Sequence, residues 1–227
     1  MSLIVDVRQL HFTYEDGTAA LNGVDFDLNH GGAVALLGAN GSGKTTFVHH
    51  LNGILRGAGS VVIDGLPVTE KNLREIRKRV GLVFQDSDNQ LFMPTVLEDV
   101  AFGPMACGAP APEAADRARA ALDRVGLLAK AGKAPWHLSA GEKKKASIAG
   151  ILAMDAKLLV LDEPTTFLDP PARRSLAELL SGLPQAKILV THDAAFAGRL
   201  TSDAAFFEAG RIVARGRVEE IRRQFNW

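Results

Sequence analysis

The sequence predicts an α/β protein with a mostly parallel sheet, a smaller antiparallel β subdomain near the N-terminus and an inserted α-helical subdomain. Three observations carry that expectation. AVALLG (33–38), VGLVFQD (80–86), KLLVLDE (157–163) and KILVTHD (187–193) are continuous apolar runs ending in polar residues, the pattern of strands covered on both faces in a parallel sheet. LIVDVRQLHFTY and GVDFDLNHGG instead alternate apolar and polar residues, as half-exposed antiparallel strands do. Between Ser87 and Gly132 the chain is punctuated by Pro and Gly and carries PEAADRARAALDRVGL, where Ala114, Ala118, Ala121, Leu122 and Val125 share one helical face.

The expected organisation is a single domain over 1–227, with a core from 1–86 and 156–227 and a helical subdomain over 87–155. The C-terminal FFEAGRIVARGRVEEI reads as a short hairpin followed by a helical turn. A chain of 227 residues is long enough for one domain carrying an insertion. Lys plus Arg equals Asp plus Glu, 26 each, so no basic field advertises nucleic acid. The single Cys107 excludes an intrachain disulfide and suits a reducing compartment. No apolar run approaches the roughly 20 residues of a membrane-spanning helix, and MSLIVDVRQL lacks the basic-then-apolar plan of a signal peptide.

In open parallel sheets ligands gather beyond the carboxyl ends of the strands. Gln85, Asp162, Glu163 and His192 terminate three of the runs and so share an edge with the loop after the first. That loop, Gly38-Ala39-Asn40-Gly41-Ser42-Gly43-Lys44-Thr45-Thr46, fits G-x-x-x-x-G-K-[ST] between a strand and a helix pattern. Its glycines let backbone N–H groups crowd around phosphate oxygens, and the helix start adds its positive end. Lys44 supplies a point charge to the outer phosphates, and the Thr45 hydroxyl can ligate Mg²⁺. Asp162 can hold that ion, Glu163 can polarise an attacking water, Gln85 can reach the ion or the water, and His192 can meet the γ-phosphate. Downstream, Ser139-x-x-Glu142 is a capping box at a helix start, and Gly141 beside it keeps the backbone open to an anion. Lys143, Lys144 and Lys145 crowd that helix's first turn, where the dipole disfavours them, and are read as a solvated face.

In this order the motifs resemble an ATP-binding-cassette ATPase over essentially the whole chain. GANGSGKTT is similar to its Walker A, Gln85 to its Q-loop, LSAGE to its signature, LLVLDE to its Walker B, FLD (167–169) to its D-loop and His192 to its switch histidine. Tyr14 falls where the family stacks an aromatic ring on adenine. The resemblance implies a P-loop NTPase fold and ATP with Mg²⁺ as cofactors. It also implies that two copies meet head to tail, each ATP lying between the Walker A of one and Ser139, Gly141 and Glu142 of the other. One set of motifs requires a homodimer or a closely similar partner. Ala140 stands where Gly is usual, Glu142 where Gln is usual, and Phe167 replaces a small residue.

FQDSDNQLFMPTVLEDVAFGP (84–104), HHLNGIL and GEKKK are similar to energy-coupling-factor importers, particularly cobalt and nickel transporters. There this region receives a helix from an integral membrane subunit, which implies a peripheral protein on the cytoplasmic face of the cell membrane. Leu91, Phe92, Met93, Val96 and Leu97 could supply apolar contact surface, and Asp86, Asp88, Glu98 and Asp99 could meet basic partner residues. The chain's stop at Trp227, without an added C-terminal dimerisation segment, favours the type in which one ATPase serves both positions. His49 and His50 diverge by about 100° on a helix, so no transition-metal site is expected in this subunit. Biotin, vitamin and amino-acid importers are the alternatives within transport. A cassette ATPase of DNA maintenance would need coiled-coil insertions and basic surfaces, and a P-loop kinase or switch GTPase would leave LSAGE without a role.

Overall fold

The computed structural model describes residues 2–227, and in it the apolar runs form strands of two sheets. The alternating segments are β1 (Leu3–Thr13) and β2 (Ala19–Asn29), paired antiparallel. β3 (Ala33–Leu37) and α1 (Lys44–Leu51) bracket the glycine-rich loop. β4 (Ala58–Ile63) and β5 (Leu66–Pro67) then complete the smaller sheet in the order β2-β1-β4-β5. α2 (Leu73–Arg79) leads into β6 (Val80–Val83).

Three helices follow with no strand between them: α3 (Val96–Ala106), α4 (Ala111–Arg124) and α5 (Ala140–Ala153). The five residues read as one face of the PEAADRARAALDRVGL helix are all buried. β7 (Leu158–Asp162), α6 (Pro170–Ser181), β8 (Ala186–Val190), α7 (Ala194–Leu200), β9 (Asp203–Glu208), β10 (Arg211–Arg217) and α8 (Val218–Phe225) complete the chain.

The main sheet runs β10-β9-β3-β8-β7-β6, parallel except for the antiparallel pair β9 and β10. The C-terminal hairpin is therefore no appendage, because β9 lies in the sheet against β3 with Leu36 opposite Ala205. The run AVALL hides an alternation that its uniform hydrophobicity cannot display. Ala35 and Leu37 belong to the core shared with the inserted helices, while Val34 and Leu36 belong to the core under the antiparallel sheet. Strands β3, β7 and β8 thus divide two cores, and their carboxyl ends open along one edge.

Candidate functional site

The glycine-rich loop leaves β3 through two backbone positions open only to glycine. Gly38 has φ 135°, and a Cβ there would stand 2.2 Å from the Phe207 carbonyl oxygen. Gly43 has φ 106°, and a Cβ would stand 2.6 Å from the Ala20 carbonyl oxygen. Gly43 is also the N-cap of α1, which has no side-chain cap and no acid in its first turn. The N–H groups of this helix start are left for an anion. Lys44 is buried. Its ammonium donates to the carbonyls of Gly38 (2.6 Å) and Ala39 (2.8 Å) and lies 3.4 Å from the Ser42 hydroxyl. Burial pulls its pKa below the usual lysine value, against the pull of Glu163 and Asp162.

The facing wall comes from the next strand ends. Asp162 is 4% exposed and its Oδ1 has no hydrogen-bond partner. Burial raises its pKa; the Thr45 hydroxyl, Lys44 and Lys144 oppose that shift, and Glu163 adds to it. Glu163 has φ 44° and is buried, its N–H tied to the Val190 carbonyl at 2.8 Å. Left-handed backbone is costly for a glutamate and persists where surrounding structure holds it. The carboxylate meets His192 Nδ1 at 2.9 Å. Tyr14 sends its hydroxyl to Thr46 Oγ1 at 2.9 Å and sets its ring edge-on to Phe12.

These groups line one cavity of about 470 Å³. Tyr14, Asn40, Gly41, Gly43, Lys44, Thr45, Thr46, Gln85, Asp162, Glu163 and His192 all border it. Gly38, Ala39 and Ser42 do not, since they lie behind the loop and turn oxygens toward the lysine. Thr18, Ala19, Ala20 and Val190 complete the lining. Sequence reasoning missed them because small and apolar residues at the start of β2 and the end of β8 carry no chemical signature. An unpartnered buried carboxylate oxygen beside a threonine hydroxyl is a hard-oxygen donor set, which suits Mg²⁺.

Ser139, the N-cap of α5, and Gly141 and Glu142 in its first turn do not border this cavity. Ser139 Oγ accepts from the Glu142 N–H (3.3 Å), and the Glu142 carboxylate accepts from the Ser139 N–H (3.0 Å) and pairs with Lys130. The Lys130 contact, more than any other partner, holds the Glu142 carboxyl below its usual range. Glu142 is therefore engaged within its own chain by the helix cap and Lys130. The three lysines after it are not a solvated face. Lys143 pairs with Asp88, and Lys145 donates to Ser175 Oγ at 2.9 Å. Lys144 is 2% exposed, donates to the carbonyls of Phe84 and Gln85, and is lowered to about 8 by burial.

A second, apolar cleft of about 590 Å³ lies between α2, α3 and α5. Phe92 and Phe102 stand edge-to-face at its mouth with ring centroids 5.1 Å apart, 63% and 44% exposed. Of the apolar residues expected on this surface, Leu91 and Phe92 line the cleft, whereas Val96 is fully buried core and Met93 and Leu97 are not in the lining. Each of the acids also has a partner within the chain. Asp99 is buried and accepts the N–H groups of Phe92 (3.0 Å) and Met93 (3.1 Å), and Glu98 closes the capping box of α3 with Thr95. Asp86 accepts the Asp88 N–H, and Asp88 pairs with Lys143.

The two histidines of α1 go separate ways. His50 Nδ1 meets the Thr46 carbonyl oxygen at 2.7 Å, and His49 lies edge-on to Phe84. Among the described residues no three His, Cys, Asp or Glu side chains gather as a metal site, and no helix is long and apolar enough to cross a membrane.

A central strand, a glycine-rich loop with its lysine, and an Asp-Glu pair at the end of β7, one strand beyond β8, define a P-loop NTPase, with the cavity between them shaped for a nucleotide triphosphate tail. The family profile described as ABC transporter matches residues 21–166, and the chain belongs to that family. It is the ATP-binding, ATP-hydrolysing cassette of a membrane transporter. An ABC transporter ATP-binding protein of Streptomyces avermitilis is 50% identical over 218 residues, covering 96% of this chain and 83% of that one. The energy-coupling factor transporter ATP-binding protein EcfA of Methanosphaera stadtmanae is 45% identical over 227 residues, covering 97% and 82%. The solved structure of cbiO1 from Clostridium perfringens, part of the ABC transporter complex cbiONQ, superposes with a TM-score of 0.88 at 35% identity. That match covers 99% of this chain and 92% of that one.

Proposed function

We propose that the chain powers an energy-coupling-factor-type importer for cobalt or nickel ions, hydrolysing ATP as two copies close around two nucleotides. The observation that carries the dimer is the separation of the two phosphate-ready elements. Ser139 and Gly141 do not border the Lys44 cavity of their own chain, so they act on a nucleotide held by a second copy. The energy-coupling-factor reading is supported by the 45% identity to EcfA and by the likeness to cbiO1. The apolar cleft that Leu91, Phe92 and Phe102 help to line supports docking of a membrane-subunit helix near 86–104, with 87–155 as the arm that presents it. The protein then works at the cytoplasmic face of the membrane.

Within each site Lys44 exchanges its loop carbonyls for phosphate oxygens, and the bare start of α1 receives the triphosphate. Tyr14 stacks on the base. Thr45, Asp162 and Gln85 would hold Mg²⁺, which when bound would neutralise charge on the outer phosphates. Glu163 takes the proton from the attacking water, oriented by the 2.9 Å bond to His192. Uptake of labelled Co²⁺, Ni²⁺ and biotin by the complex reconstituted with the membrane subunits that co-purify with the chain tests the reading. Energised Co²⁺ or Ni²⁺ uptake is expected. Uptake of biotin alone would reassign the cargo, and a chain that recovers no membrane subunit would remove the importer.

A further inference from the structure

The 84–88 segment lies between the two cavities and belongs to both. Phe84 lines the apolar cleft, and Gln85 lines the nucleotide cavity. β6 has ended at Val83, so the carbonyls of Phe84 and Gln85 no longer have a sheet partner. Lys144 supplies one. Its ammonium donates to Phe84 O at 3.0 Å and to Gln85 O at 2.9 Å from the second turn of α5. A buried ammonium needs such acceptors to offset its lost hydration, and here nothing else within hydrogen-bond reach provides them. The same helix floors the apolar cleft with Ala146, Ser147 and Gly150. One helix therefore lines the cleft through Ala146, Ser147, Gly150 and Ile151 and grips the polar segment through Lys144.

We propose that Lys144 is a positioning residue that sets Gln85 in the hydrolysis site. The inference rests on the reading that Gln85 serves hydrolysis. Lys144 touches no substrate, so its effect must pass through Gln85 and fall on turnover. A misplaced group in a hydrolysis site costs about ten- to a hundredfold in rate. Binding of ATP, held by the glycine-rich loop and Tyr14, should be spared.

The test is a double-mutant cycle on the full chain, with steady-state phosphate release, KM for ATP and thermal melts for each variant. Lys144→Met, which keeps the stem and removes the donors, is expected to lower kcat about tenfold or more while KM changes less than about twofold. Lys144→Arg is expected to recover part of the loss. In a Gln85→Ala background, Lys144→Met is expected to add nothing. Should the Met variant fail to fold, Lys144→Gln takes its place in the cycle under the same criteria. Normal kcat in the lysine variant, losses that multiply with Gln85→Ala, or a parallel rise in KM would overturn the assignment while leaving Gln85 in its role. Unchanged turnover in Gln85→Ala alone would instead remove the reading of Gln85, and Lys144 with it.

Discussion

Two helices in this chain begin beside a glycine, and they begin in opposite states. α1 starts at Gly43 with no side-chain cap and no acid in its first turn. α5 starts at Ser139 with a complete capping box and an internal carboxylate, Glu142, already at its positive end. Orphan N–H groups are a cost unless something accepts from them. At α1 the chain leaves them for a ligand, and at α5 it satisfies two of them itself. The bare start is therefore the one we propose as the phosphate grip. The capped start keeps its shape without ligand, and the Ser139 hydroxyl, which accepts from the Glu142 N–H, still has its own proton to donate to a neighbour's nucleotide.

That contrast can be broken in graded steps. The largest effect is expected at the acid facing α1. Glu163→Gln should retain ATP binding yet lower phosphate release by about 10²- to 10⁴-fold. Wild-type turnover in single-cycle hydrolysis would mean another base. Next, Lys44→Ala should lose both binding and hydrolysis, because α1 has no other cation at its start; equilibrium titration with a fluorescent ATP analogue reads this directly, and retained affinity would place the grip elsewhere. A smaller loss belongs to α5. Ser139→Ala removes the cap acceptor at a cost of about 1 kcal/mol, or roughly 2–4 °C in the unfolding midpoint, and should also weaken ATP-dependent dimerisation in sedimentation. If dimerisation is unchanged, the two-copy pocket is wrong even where the melt shifts.

The smallest effect is expected at Glu142→Gln, which keeps an acceptor but loses charge. The pair with Lys130 is partly solvent-exposed, so the cost should stay within about 1 kcal/mol. Its sign with pH is fixed. The folded carboxyl titrates below its ordinary value of 4.5, so its contribution is complete above that pH and is lost as pH falls through the folded value. Melts of wild type and variant should therefore converge in acid, and a gap that persists there would assign the effect to shape instead of charge. At the apolar cleft, Phe102→Glu should leave the chain folded and ATP hydrolysis intact while lowering recovery of membrane subunits, because Phe102 is 44% exposed.

The bare start was legible in the sequence, and so was the capping box, since both are short-range patterns with one physical meaning. The parallel strands were legible too, because burial on both faces leaves no other reading of runs such as LLVLD. What the sequence hid was long-range. Nothing in KKK distinguishes Lys144, whose burial depends on carbonyls about sixty positions earlier. Asp99 looked free because the turn that brings the Phe92 and Met93 N–H groups to it has no motif of its own, and Asp88 because its partner Lys143 lies far along the chain. Val96 looked like contact surface for the same reason that AVALL showed no alternation, since an apolar residue does not declare which apolar neighbour it meets.

The order of the main sheet has a consequence for how the protein is made. β3, the strand that presents the phosphate loop, is bonded on one side to Ala186–Val190 and on the other to Asp203–Glu208. A ribosome must therefore deliver nearly the whole chain before that strand acquires either neighbour, and pairings of such long reach close slowly. Throughout synthesis the antiparallel sheet and the inserted helices can gather around local contacts, while the loop that defines the enzyme waits unpaired. A truncation that removes β9 would thus cost more than its short length suggests, because it takes away one flank of the strand that presents the phosphate loop.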